Sequence, residues 1–289
     1  EYKYPAGSRR PEYETLASFG AMCLNNNTES IAMVNYICNC YGIDTISAGS
    51  TIAFAIECYE NGLITRKDTD GIELTWGNHQ AIVAMTEKLA RREGFGGILA
   101  DGVKLAADRI GRGAKKYAVH IGGQEPGMHD PKLMPPTVGT VESAAARYQM
   151  DATPGRHTQG FGPASFLQHA LNAAGLCYFG RVGRYFISFL NAVTGWDYSL
   201  DELSKAGERI ATLRHVFNLR EGINPLKWPV HPRIIGKTPF ESGPLAGVTA
   251  DIEAQVYWNL GAMDWDRLTT KPSQKKLSYL GLDDVVKDL

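Results

Sequence analysis

The sequence has no surplus of charge of either sign and no long hydrophobic run. Its 289 residues carry 30 lysines and arginines against 31 aspartates and glutamates, which gives a formal net charge of −1. Nothing in this balance indicates a nucleic-acid partner or a charged disordered tail. No apolar stretch reaches the roughly 18 to 20 residues that a membrane-spanning helix needs. The length suits about two domains, so we expect a globular protein without a membrane span.

Cysteine is scarce and irregularly spaced. There are five cysteines, an odd number, and their spacings are not those of a disulfide framework or a usual zinc site. The opening residues EYKYPAGSRR contain no apolar signal-peptide core. We therefore expect a reducing, cytoplasmic location, in which four of the cysteines serve as small buried hydrophobic residues. These four are Cys23, Cys38, Cys40 and Cys58.

Strand patterns are also rare, and helical patterns that end near a glycine dominate. The only strand candidates are GIELTW (71–76) and KYAVHIGG (116–123). The recurring amphipathic segments predict a mainly α fold. They end at Gly42, Gly62, Gly94, Gly111, Gly175, Gly222, Gly261 and Gly281. A long loop rich in Pro and Gly, within residues 122–161, separates two helical blocks, and a loop of that length is typical of a functional one.

Two of these helix ends repeat one another. The first reads NCYGID (39–44) and the second NAAGLC (172–177). In each, a glycine closes the helix, and the apolar residue after it fits the contact that accompanies such caps. The next position is therefore held rigidly. In the first copy it is Asp44, whose carboxylate can cap the following helix or accept hydrogen bonds from N–H groups of a ligand. In the second it is Cys177, whose thiolate suits iron, although the local pattern alone leaves ordinary packing open.

Several ordered motifs carry a resemblance that covers nearly the whole chain. They are RPEYETLASFG (10–20), CNCYGIDTISAGSTIAFAIECYENGLI (38–64), the segment 92–132, ALNAAGLCYF (170–179), ATLRHVFNLREG (211–222) and KKLSYLGLDD (275–284). In these motifs the chain resembles the tungsten-dependent aldehyde:ferredoxin oxidoreductase family. The resemblance implies two helical domains of that family's C-terminal type, with residues 1–120 as part of domain 2 and residues 121–289 as domain 3. The family's N-terminal domain and its C-x-x-C-x-x-x-C motif are missing, so we expect a piece or a subunit of a larger enzyme.

The resemblance also implies a tungsten or molybdenum bis-pyranopterin, bound by the two repeated motifs, and a [4Fe–4S] cluster beside it. By position, the pterin-binding residues are Asn39, Gly42, Ile43, Asp44, Asn172, Gly175 and Leu176, and Cys177 is the fourth ligand of the cluster. Two asparagines, Asn39 and Asn172, stand where the family usually has aspartate; an amide keeps hydrogen-bonding capacity but brings no charge. Because a cubane cluster takes four ligands, we expect this chain alone to carry none.

The family pattern further implies a catalytic glutamate and a histidine near the metal. In RPEYET the glutamate is Glu14, with Glu12 as its competitor and a helix-start role for both as the plain alternative. The histidine is expected in the loop before the second motif, where His157 fits better and His129 is the alternative. We expect His169 to be a packed or surface residue.

The activity that the resemblance implies is the oxidation of aldehydes to carboxylic acids. Electrons would leave through the cluster to ferredoxin or to an iron–sulfur electron-transfer subunit. The other implied partners are a small aldehyde, the N-terminal cofactor-binding half or subunit, and in a homo-oligomer a second copy. Two alternatives stay open: the low-potential reduction of an acid or an aromatic thioester, and a cofactor-free helical protein with a binding or scaffold role.

Overall fold

The protein is mainly α-helical, as the sequence predicts. The structure, a computed structural model, describes residues 2–133, 144–156, 160–177, 185–228 and 230–289. The chain folds as two compact units, Glu1–His129 and Asp130–Leu289. Residues 121–129 belong to the first unit.

Unit 1 packs its helices around a central apolar one. Its helices are α1 (Tyr13–Leu16), α2 (Thr28–Tyr41), α3 (Thr45–Glu60), α4 (His79–Arg91), α5 (Phe95–Leu99) and α6 (Val103–Ile110). Helix α3 is apolar on nearly every side, which is the pattern of a buried helix, and Ile52 and Ile56 on it are fully buried. Helix α1 runs into a π-helical turn at Ala17–Ala21.

Both ends of α2 are capped, and its end at Gly42 lies where the sequence predicts it. The Asn27 side chain accepts a hydrogen bond from the Ser30 amide at its start, and Gly42 is left-handed, with φ of 67°, at its end. An N-cap side chain and a left-handed glycine satisfy backbone groups that the helix leaves unpaired.

Two other helix ends in unit 1 differ from the prediction. Helix α4 ends at Arg91 and not at Gly94, and the left-handed residue that closes it is Arg92, with φ of 56°. The segment expected as one helix up to Gly111 is broken at Gly102. There the buried side chain of Glu125 accepts a hydrogen bond from the Val103 amide at 2.6 Å and starts a new helix, α6.

Unit 2 contains a second set of helices. They are α7 (Ala144–Met150), α8 (Phe166–Ala173), α9 (Phe186–Thr194), α10 (Leu200–Arg220), α11 (Pro232–Ile235), α12 (Ile252–Ala262) and α13 (Gln274–Tyr279). A capping box of Ser199 and Glu202 starts α10. A Cβ atom on Gly207 would lie 1.8 Å from the Phe166 carbonyl oxygen, so only glycine permits the close approach of α10 to α8. Helix α12 was expected to stop at Gly261 but runs through it to Ala262.

The two strand candidates are wrong. Within the described ranges the chain has no strand, and its β pairing is limited to isolated bridges, one of them between Ile121 and Gln124. A strand needs a neighbouring extended segment to pair its backbone groups, and 71–76 and 116–123 have none in this fold. In the part of the chain that the structure describes, no helix is long and apolar enough to cross a membrane.

Candidate functional site

The Glu14 side chain joins α1 to the loop at 128–129. Its Oε2 atom accepts a hydrogen bond from the Met128 amide at 2.7 Å, and its Oε1 atom lies 3.5 Å from Nδ1 of His129. The Tyr13 hydroxyl donates to the Met128 carbonyl at 2.9 Å, and the Tyr13 ring contacts the His129 ring with centroids 5.6 Å apart. A carboxylate and an imidazole far apart in sequence are thus neighbours in unit 1.

The first repeated motif forms the turn between α2 and α3. The amide of Ile43 donates to the Cys38 carbonyl at 2.8 Å across the left-handed Gly42, which is the arrangement expected of such a helix end. Asn39, on the last turn of α2, donates its side-chain amide to the Asn35 carbonyl at 2.7 Å. The motif therefore has a backbone fixed by its own sequence.

Asp44 is the N-cap of α3, one of the two roles that the sequence allows. Its Oδ1 atom accepts from the Ile46 amide at 3.1 Å, and its Oδ2 atom accepts from the Ser47 hydroxyl at 3.1 Å. The residue is exposed. These hydrogen bonds fix the orientation of the Asp44 carboxylate at the start of α3.

Replacing Asp44 separates its capping role from its charge. We expect Asp44→Ala to lower the free energy of unfolding by about 1 kcal/mol, because the cap of α3 is lost. Asp44→Asn should leave that free energy nearly unchanged, because asparagine caps a helix about as well as aspartate. Urea unfolding of the two variants tests this, and an equal loss in both would contradict the capping role.

Glu14 and part of the first motif line one open cleft in unit 1, with a volume of about 800 Å³ that includes space open to solvent. Its walls include Glu14 and three residues of the first motif, and helix α1 is tied to the start of α3 by a 2.8 Å hydrogen bond between the Thr15 and Thr45 hydroxyls. The full lining is Arg9, Arg10, Glu12, Glu14, Thr15, Asn35, Asn39, Ile43, Asp44, Thr45 and Ile46. Gly42 lies on an adjoining cleft that shares Ile43 and Asp44.

The second motif forms the end of α8 in unit 2. Gly175 is left-handed with φ of 75°, and the Leu176 amide donates to the Leu171 carbonyl at 3.2 Å. This is the same backbone arrangement as at Gly42, so the predicted repetition of the two helix ends is confirmed. The next residue, Cys177, is exposed, and Asn172 lies on the last turn of α8.

Cysteine environments divide into two kinds. Burial raises the pKa of the Cys23, Cys38 and Cys58 thiols to about 12, so these three stay protonated and are poor ligands. Their predicted packing role is confirmed. Cys40 was expected to be buried as well, but it is exposed, because it lies on the outer face of α2. Cys177 is the other exposed cysteine among the described residues.

Of the three histidines considered from the sequence, two lie among the described residues. His129 is brought to Glu14, as described above. His157, the residue preferred from the sequence, lies outside the described residues. His169 is packed in unit 2, where it is only 4% exposed.

A buried polar cluster in unit 2 has no counterpart in the sequence patterns. It contains Asp151, His169, Arg214 and His215, which line one small cavity. Burial raises the pKa of Asp151 to about 6, and it lowers the pKa of both His169 and His215 to about 4. The signal was absent from the sequence because these residues lie on three different segments of the chain.

The side chains of the two motifs and the cleft fit the cofactor that the resemblance implies better than they fit a bare metal ion. Among the residues that the structure describes, no group of three or more His, Cys, Asp and Glu side chains could hold a metal ion. The cleft instead presents hydrogen-bonding groups beside an apolar residue, which fits a pterin ring but not a bare metal. The exposed thiol of Cys177 fits a single ligand to an iron–sulfur cluster, whose other ligands would have to come from elsewhere.

Known proteins resemble this chain along almost its whole length. Residues 1–282 match the family model described as aldehyde ferredoxin oxidoreductase, domains 2 & 3. The tungsten-containing aldehyde ferredoxin oxidoreductase of Pyrococcus abyssi is 30% identical over 96% of this chain and 49% of its own length. The aliphatic sulfonate oxidoreductase, WOR-like subunit, of Pyrococcus furiosus is 28% identical over 98% of this chain and 47% of its own length. The chain spans about half the length of the curated relatives it matches.

A solved structure shares the fold. It is the active-site complex BamBC of benzoyl coenzyme A reductase in complex with 1,5-dienoyl-CoA, with a TM-score of 0.68 at 20% identity. The similarity covers 96% of this chain and 49% of that chain. At this identity the likeness shows the fold of the chain.

Proposed function

The chain belongs to the aldehyde ferredoxin oxidoreductase family, as its domains 2 and 3, and from this we propose that it is the helical part of an enzyme that oxidises aldehydes to carboxylic acids. The observation that supports this most is the cleft of unit 1. It gathers Glu14, Asn39, Ile43 and Asp44, which the family pattern assigns to catalysis and to pterin binding.

The proposed cofactor is a tungsten or molybdenum bis-pyranopterin with a [4Fe–4S] cluster. When bound, it supplies the acceptor for two electrons and a metal that polarises the carbonyl oxygen. Asn39, Gly42, Ile43 and Asp44 would hold one pterin, and Asn172, Gly175 and Leu176 the other. The rigid backbone of both helix ends supports this assignment, because a fixed turn presents the same hydrogen-bonding groups at every encounter.

The protein's own contribution to the chemistry is proton transfer. Converting an aldehyde and water to a carboxylic acid releases two electrons and two protons, and the protons need acceptors. We assign the first acceptor to Glu14, whose Oε2 is fixed by the Met128 amide while Oε1 faces His129. His129 can take the proton onward, since a neutral imidazole nitrogen accepts a proton. The family pattern implies one histidine near the metal, and His157 is proposed for that role, with His129 as the alternative.

The His129 assignment can be tested by substitution. We expect His129→Gln to lower kcat about tenfold or more and to alter the pH dependence of kcat, because the proton acceptor next to Glu14 is lost. His79→Gln is the matched control, since His79 lies in the same unit but bonds to the Tyr2 hydroxyl. Steady-state rates between pH 5.5 and 9 measure both variants. Equal effects of the two substitutions would contradict the assignment.

The chain's partners follow from the same proposal. The relatives are about twice as long, so we propose that an N-terminal half, on the same or a separate chain, completes the cofactor site. Ferredoxin or an iron–sulfur subunit would accept the electrons. The free cysteines of the described residues are consistent with a reducing cytoplasm.

A further inference from the structure

The small cavity in unit 2 is lined by buried polar side chains that the proposed function does not use. They include Asp151 after α7, His169 on α8, Arg214 and His215 on α10, and Trp265. The cavity has about 20 Å³ of space for the centre of a water-sized molecule, and one water needs roughly 10 to 15 Å³ of such space. Its size therefore suits a single occupant about as large as water.

Two groups at this cavity are hydrogen-bond donors that have no acceptor. Among the described residues, neither Nε1 of Trp265 nor Nη1 of Arg214 has a hydrogen-bond partner, and both atoms are buried. Trp265 is only 5% exposed. Its ring stacks on the His215 ring with centroids 4.2 Å apart and contacts the Phe161 ring at 5.9 Å. Because a buried donor without an acceptor is costly, both groups favour an occupant that accepts hydrogen bonds.

His169 supplies the opposite kind of group. Burial lowers its pKa to about 4, so the ring is neutral at pH 7. A neutral imidazole donates at one nitrogen and accepts at the other. The hydrogen bond between His169 and the Gly160 backbone raises the pKa of the ring, which identifies the ring as the donor in that bond. The other ring nitrogen is therefore an acceptor, and it favours an occupant that donates a hydrogen bond.

The charges around the cavity balance without an added ion. The Arg214 guanidinium lies 3.6 Å from the Asp151 carboxylate. Burial raises the pKa of Asp151 to about 6, so this carboxylate is ionised at pH 7, and His215 is neutral because burial lowers its pKa to about 4. An anion in the cavity would add an unbalanced buried charge. A halide would also have no proton to donate to His169.

We propose that this cavity binds one ordered water molecule, which accepts hydrogen bonds from Trp265 and Arg214 and donates one to His169. Water combines both kinds of hydrogen bond in one small neutral molecule, and about three such bonds are usual for a buried water. The water joins α8 to α10 and to Trp265. Asn172, the first residue of the second motif, lies on the last turn of α8, so the water stabilises the helix that carries this motif. The inference does not depend on the proposed function.

A crystal structure of the protein, at a resolution that shows ordered waters, tests the site. We expect one spherical density peak at about 2.7 to 3.2 Å from a nitrogen of each of Trp265, Arg214 and His169. No density at this position would overturn the proposal. Crystals grown with bromide in place of chloride distinguish water from an anion, because bromide scatters anomalously. An anomalous peak in the cavity would overturn the proposal as well.

Removing the acceptor tests the third hydrogen bond. Leucine has a volume close to that of histidine but cannot accept a hydrogen bond, so in His169→Leu we expect the density peak to lose most of its occupancy. Gln168→Leu is the matched control, since Gln168 is a partly buried neighbour on α8 that does not line the cavity, and its peak should equal that of the wild type. A peak of full occupancy in His169→Leu would contradict the proposal. If His169→Leu does not fold, the wild-type and bromide crystals decide.

Discussion

Glu14→Gln is expected to lower kcat by roughly a hundredfold or more in the complete enzyme without loss of bound metal. Glutamine has nearly the shape of glutamate, and its side-chain carbonyl oxygen can still accept a hydrogen bond from the Met128 amide. The loop at 128–129 should therefore stay in place. The amide cannot take up a proton, however, and it removes the charge that faces His129. Steady-state kinetics, together with metal analysis of the same preparation, measures the effect.

The control for Glu14 is the neighbouring carboxylate. Glu12 lines the same cleft, but it is exposed and its side chain makes no capping hydrogen bond at the start of α1. Glu12→Gln therefore changes the local charge by the same amount, and we expect its kcat to stay within about threefold of the wild type, as for a surface group that does not transfer a proton. A similar loss in both variants would indicate a general charge effect, and an active Glu14→Gln enzyme would remove Glu14 from the mechanism.

Cys177→Ala is expected to remove most of the iron from the complete enzyme. A [4Fe–4S] cluster that has lost one of its four thiolate ligands is destabilised. Without the cluster, the electrons of the reaction have no route out of the enzyme. The helices should remain folded, because Cys177 is exposed and contributes little to the packing of α8. Iron analysis and the electron paramagnetic resonance spectrum of the reduced enzyme measure the cluster, and far-ultraviolet circular dichroism measures the helices.

Cys40→Ala is the matched control, since Cys40 is the other exposed cysteine of the described residues. It removes a thiol of similar exposure from unit 1, where no cluster ligand is proposed. We expect its iron content to equal that of the wild type. Full iron content in Cys177→Ala would show that this thiol is not a ligand, whatever the control gives.

Local features of this fold were predictable because their causes lie within a few residues. The cap at Asn27, the capping box at Ser199 and the turns at Gly42 and Gly175 each depend on hydrogen bonds between residues at most six positions apart. Sequence patterns encode such contacts directly. The family motifs gave the residues of the cleft a predicted function. Local patterns alone would have identified them only as helix ends.

Features that depend on distant residues were not predictable. The break at Gly102 is set by Glu125, and the pairing of Glu14 with His129 joins residues more than a hundred positions apart. The buried Asp151 carboxylate lies 3.6 Å from the Arg214 guanidinium of α10, more than sixty positions away in the chain. In each case a side chain satisfies a backbone group or a charge from another element, and only the tertiary packing decides which one is near.

The measurement that tests the central claim most directly is elemental analysis of native protein purified without air, expressed per copy of this chain. If the chain is the helical part of a pterin-dependent oxidoreductase, the complete assembly should contain about one tungsten or molybdenum and roughly four irons. Native material with neither a group-6 metal nor iron would contradict that claim and favour a cofactor-free binding or scaffold protein.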